Sequence, residues 1–147
     1  REAISEFDFK ASERDALTKA INVQIETLRL EDRNINYEIK RNFVESKLGK
    51  NPSLKQMAQL YVNQRKLRLE GGKLALKKAQ IDVDFYDYKY STAKKLTSTN
   101  TMSLEQFLEA VRDKRISDET VADILAHMPE LEKSYKEALE LADKIKE

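Results

Sequence analysis

The chain has 147 residues, 36% of them charged and 40% hydrophobic, with three Gly, two Pro, no Cys and no Trp. That length suits a single domain with a core of its own, and the charge-rich, Gly- and Pro-poor balance points to long exposed helices rather than a compact α/β enzyme. The lack of cysteine removes disulfide frameworks and thiolate metal sites.

Nothing in the chain approaches a transmembrane span or a secretory signal. A soluble cytoplasmic protein is expected, or a fragment of one, since the chain opens on Arg1. The net charge of +1 is unevenly spread, with −3 over residues 1–39, +9 over 40–95 and −5 over 96–147. A basic middle between acidic ends implies either self-complementary packing or a patch for an anionic partner.

In chain order, residues 1–9 carry Ile4, Phe7 and Phe9 and read as an irregular or short helical lead-in whose aromatics dock elsewhere. Ser12 and Asp15 have capping-box spacing and predict a helix start there. No Gly or Pro interrupts the chain from that point to Leu48. Ile21, Leu28 and Ile35 recur every seven residues, and so do Ala16, Val23, Leu30, Tyr37 and Val44. A β-hairpin over 21–40 is the alternative, suggested by the β-branched residues and the polar run from Glu31 to Asn34.

Gly49 and Pro52 make a clear break, with Gly49 suited to a helix C-terminus and Pro52 to the next start. The second helix, 53–96, carries two heptad rows. One is Leu60, Leu67, Leu74, Ile81 and Tyr88, and the other is Val62, Leu69, Leu76, Val83 and Tyr90. Locally, Ile81 to Phe85 alternates like a strand. A seven-residue step, however, changes faces on a strand and keeps its face only on a helix.

The two rows lie about 200° apart, so this helix needs cover on two sides. Its neighbours come either from this chain or from another subunit. Gly71 and Gly72 fall inside it and predict a kink or a close approach by another backbone. If the helices pair symmetrically about the turn, Asp32 faces that gap.

Past the polar linker 97–101, Ser103 and Gln106 form a capping box, Ser117 and Thr120 suggest another start, and Pro129 suits the first position of a third short helix. The expected fold is therefore all-α. A lead-in and long antiparallel, coiled-coil-like helical hairpin occupy 1–101, with helices 12–48 and 53–96. A small C-terminal three-helix segment, 102–147, packs on or near the hairpin.

No catalytic constellation can be assembled. His127 is the sole histidine and has no Cys or nucleophile to work with, so a structural role is preferred. Asp82, Asp84 and Asp87 suggest metal ligands superficially, but they lack an EF-hand's Gly and Glu, and on a helix Asp82 points away from Asp84. They read as a solvated acidic strip. Phe85, Tyr86, Tyr88 and Tyr90 sit among those acids, which argues for a hydrophobic anchor over a nucleic-acid stacking platform.

The sequence thus predicts a non-catalytic protein–protein interaction or assembly protein (a scaffold or adaptor), copies of itself among its candidate partners, with no cofactor, catalytic residue, metal or small-molecule substrate. Its interface is expected at Leu69, Leu76, Val83, Tyr86 and Tyr90. One alternative is a nucleic-acid-associated helical protein using Arg65, Lys66, Arg68, Lys73, Lys77 and Lys78, which otherwise form a solvated face or a dock for the acidic C-terminal part. The other is a protein inhibitor of a larger enzyme acting through that acidic part.

Overall fold

Three long helices account for nearly all of the described chain: α1 Glu2–Lys47, α2 Leu54–Ser98 and α3 Leu104–Lys144. The structure is a computed structural model that describes residues 2–145, with side chains from Glu6 onward, so the docking of Ile4 lies outside the described side chains. No strand occurs among the described residues, so both locally strand-like stretches, 21–40 and 81–85, are helical. The seven-residue recurrence outweighs short-range alternation because burial acts over the whole helix. Among the described residues, no helix is long and apolar enough to cross a membrane.

The helix ends follow from local chemistry. Gly49, at φ 86°, ends α1 with two carbonyl-satisfying bonds, Gly49 N–H to Ser46 O at 3.2 Å and Lys50 N–H to Glu45 O at 3.0 Å. Asn100, at φ 57°, ends α2 the same way through Asn100 N–H to Thr97 O at 3.1 Å and Thr101 N–H to Leu96 O at 2.8 Å. Ser53 Oγ accepts from Gln56 N–H at 3.3 Å and caps the start of α2. Ser103 Oγ accepts from Gln106 N–H at 3.2 Å while Gln106 Oε1 accepts from Ser103 N–H at 3.3 Å, so that capping box is formed in full.

Three expected starts, at Ser12, Ser117 and Pro129, are not starts. α1 begins at Glu2 and runs through Ser12 and Asp15, which removes the separate lead-in. The three short C-terminal helices are one continuous helix, with Pro129 inside it. The buried Ser117 caps nothing, because its hydroxyl donates back to Lys114 O at 2.8 Å, and Thr120 does the same to Ile116 O at 2.9 Å. Pro129 deprives the Leu125 carbonyl of its partner. The helix continues past it because Met128 and Leu131 are both held against Gly72 of α2.

The chain divides into two compact units, each drawing on all three helices: Arg1–Asn22 with Ala75–Ala126, and Val23–Leu74 with His127–Glu147. In the first unit, Phe7 of α1 meets Phe85 and Tyr88 of α2 at ring-centroid distances of 5.7 and 6.5 Å. On the other side of α2, Tyr90 meets Phe107 of α3 at 5.9 Å, and Lys89 and Asp87 pair with Asp113 and Lys114 at 3.3 and 3.1 Å. Its buried apolar residues are Ile21, Ala79, Ala93 and Ala110. Small residues at such positions let helices approach closely.

In the second unit, the buried Gln64 donates from Nε2 to Asn36 Oδ1 at 2.7 Å, and Arg68 lies 3.8 Å from Asp32. Position numbers fall on α2 as they rise on α1. Asp32 therefore faces Arg68 rather than the glycine gap. The gap is used from the other side, since a Cβ on Gly72 would lie 2.6 Å from Leu131 Cδ1 and 3.2 Å from Met128 Sδ. The close approach foreseen for a backbone is made by two α3 side chains. Ala58, Val62, Leu69 and Met128 are buried here, and each larger one contributes about 1.5–3 kcal/mol.

Candidate interaction surface

α2 is engaged on both flanks within the chain, and this decides where its interface candidates sit. Leu69 is buried, while Leu76, Val83, Tyr86 and Tyr90 are half-buried. Tyr90 spends its exposed ring face on Phe107 of α3. Tyr86 packs edge-on to Phe85 at 5.3 Å, with the Arg14 guanidinium 5.3 Å from its ring centre and the Lys89 ammonium at 5.9 Å.

Arg14 organises this part of the first unit. It donates from Nε to Asp82 Oδ1 at 2.8 Å and also lies 5.1 Å from the Phe85 ring centre. Partial burial works against its charge, but the hydrogen bond and charge of Asp82, helped by Tyr86 and Asp15, raise its pKa above the ordinary value. The guanidinium therefore stays ionised between two aromatic faces.

The three acids of 82–87 do not converge. Asp82 is taken by Arg14, Asp87 by Lys114, and Asp84 is exposed. Of the basic candidates, Lys66, Arg68, Lys73 and Lys77 are exposed and Arg65 and Lys78 half-buried, with Arg68 beside Asp32. His127 is exposed, its Nδ1 3.9 Å from Glu130.

Among the described residues, an uninterrupted row of exposed large apolar side chains lies on α1. Val23, Leu30, Tyr37 and Val44 are 67, 56, 68 and 54% exposed. They recur every seven residues on one helix, so they form a single row. The buried and half-buried side of α1 in this unit is carried by Ile25, Leu28, Asp32, Ile35 and Ile39, centred about 170° away around the helix. From Leu30 to Val44 the row thus points away from the core of this unit, while Val23 stands at the edge of α2. Beside Val23, a shallow groove of about 490 Å³ is lined by Thr27, Leu28 and Leu74, among others.

Sequence reasoning located this row and expected the interface on the equivalent row of α2, whose members are buried or half-buried. The pattern shows that a row needs cover; only the position of α3 shows which row is left without it. The comparable row on α3, Leu104, Val111 and Leu125, is exposed too, but Asp118 interrupts it. Extended runs of exposed apolar side chains on one helix mark surfaces that meet something else.

Fold and surface together define an all-α chain whose first helix presents an apolar row outward. Comparison of the chain with protein-family models, with curated proteins and with solved structures returns no match.

Proposed function

We propose that this protein is a non-catalytic interaction and assembly component that docks other proteins, copies of itself included, on the outer face of α1. On this reading α1 and α2 form an antiparallel, coiled-coil-like hairpin, with α3 covering the free side of α2. The paired positions Asn36 with Gln64 and Asp32 with Arg68 support that arrangement. One observation carries the functional reading: four consecutive heptad positions on α1 expose large apolar side chains opposite the core. Covering such a row removes apolar surface from water and adds knobs-into-holes contacts without disturbing the chain's own packing.

A photo-crosslinking amino acid at Tyr37, introduced in the cells that make the protein, tests the reading. Protein adducts should form and should disappear when Leu30→Glu is added, with helicity by circular dichroism unchanged. Adducts indifferent to Leu30→Glu, or none at all, refute it.

A further inference from the structure

The charges beside the row specify what binds there. With Val23, Leu30, Tyr37 and Val44 at the d positions of a heptad, the a positions are Thr27, Asn34, Arg41 and Leu48. The e positions are then Gln24, Glu31, Glu38 and Glu45, and the g positions are Glu26, Arg33, Lys40 and Lys47. One flank of the row is therefore acidic and the other mainly basic. All sixteen side chains are exposed except the half-buried Glu45.

That asymmetry distinguishes the two ways a helix can meet its own copy. In a parallel pair, each g position faces the e position five residues further along the other helix. Arg33 then meets Glu38 of the second copy, and Lys40 meets its Glu45, each twice by symmetry. The opposing cost is Glu26 against Glu31, eased because Glu26 is already ion-paired with Arg29. In an antiparallel pair, e faces e and g faces g. Centred on this stretch, Glu31 then meets Glu38 and Arg33 meets Lys40, each twice, which outweighs the one attractive pairing of Glu26 with Lys47.

Two further features fit the parallel arrangement. Asn34 stands at an a position, where in a parallel, in-register pair it meets Asn34 of the second copy and the two amides can hydrogen-bond. Along Leu30–Val44 the core of this unit lies on the far side of α1, which leaves that stretch of the row open to a second copy. Arg41, also at an a position, is tied to Glu45 at 3.2 Å, an exposed i,i+4 pair weak enough to exchange partners.

We propose that the occupant of the α1 face is a second copy of this chain, paired parallel and in register over Val23–Lys47. This rests on the interaction reading above and narrows it to one partner. The pairing is modest, because apolar residues fill d while a is mostly polar, so the dimer forms and dissociates with concentration.

Sedimentation equilibrium of the purified full chain, from low micromolar to near-millimolar, tests it. The mass should rise toward twice that of one chain, and Leu30→Glu should weaken the dimer at least tenfold. Glu38→Lys sets two cations opposite each other in the parallel pair and should weaken it several-fold, with Arg33→Glu added in the same chain restoring it. In an antiparallel pair Glu38→Lys would instead strengthen binding.

The chain has no native cysteine, so Thr27→Cys and Arg41→Cys, made separately, should each oxidise to a self-linked dimer. A monomer at every concentration, a dimer insensitive to Leu30→Glu, or one tightened by Glu38→Lys overturns the proposal. If the purified chain is monomeric yet Tyr37 still crosslinks in cells in a Leu30-dependent way, self-pairing fails and the broader reading stands with a different protein as partner.

Discussion

The two adjacent glycines of α2 should respond to alanine in opposite directions. Either substitution removes backbone freedom from the unfolded chain and favours helix by about 1 kcal/mol. Around Gly71 there is no atom within 4 Å of a new Cβ, so Gly71→Ala should be stabilising by about that amount. At Gly72 the new carbon would lie 2.6 Å from Leu131 Cδ1 and 3.2 Å from Met128 Sδ. Carbon contacts relax at about 3.5–4.0 Å, so the Leu131 methyl must retreat by roughly 1 Å while the buried Met128 shifts by tenths.

Overpacking of this kind costs about 1–3 kcal/mol. Set against the helix gain, Gly72→Ala should be destabilising by roughly 0–2 kcal/mol. The two variants should then differ by about 1–3 kcal/mol, which at ordinary m-values is on the order of 1 M in urea midpoint. In a Leu131→Ala background only the Met128 contact at 3.2 Å remains, which a shift of tenths of an ångström relieves, and Gly72→Ala should turn stabilising. Urea unfolding followed by circular dichroism reads the wild type and all four variants. Equal stabilisation by Gly71→Ala and Gly72→Ala would show that α3 does not lie where Leu131 places it.

Three other outcomes follow. Gln64→Leu leaves Asn36 without its partner and should cost about 1–3 kcal/mol, whereas Asn36→Leu with Gln64→Leu should return close to wild type in the same unfolding assay. Pro129→Ala restores a main-chain N–H for Leu125 and should be stabilising by about 1–3 kcal/mol after the unfolded-state offset; a destabilised variant would mean that the proline is needed for the course of α3. Hydrogen bonds to Asp118 and Asp87 raise the Lys114 pKa above its ordinary 10.5, so its stabilising effect is fully present below that value and lost as pH rises through the raised one. The stability gap between wild type and Lys114→Met should therefore close in strongly alkaline solution, and a gap that widens there reverses the assigned sign.

What could be read in advance was whatever depends on local or periodic chemistry. The heptad rows placed helices over both strand-like stretches, and the Gly49 terminus and the Ser103–Gln106 cap are properties of a few adjacent residues. The errors arose where one local motif has two outcomes. Ser117 has the spacing of a cap, but a buried hydroxyl bonds the preceding turn just as well, and only packing selects between them. Pro129 likewise breaks a solitary helix but is carried through one whose flanking residues, Met128 and Leu131, are anchored on Gly72. The α1 row from Val23 to Val44 was visible as apolar. Its exposure was not, because the two-sidedness of α2 does not say which helices take its two sides.

Hydroxyl-radical footprinting of Leu30 and Tyr37, read by mass spectrometry, probes the central claim most directly. The buried Met128 serves as the internal reference for an intact fold. In the purified chain at high dilution both residues should oxidise as freely exposed side chains, and in the cells that make the protein both should be protected. Tyr37 shielded already at dilution, or equally oxidised in both settings, would contradict an outer face of α1 that is bare in the isolated chain and covered at work.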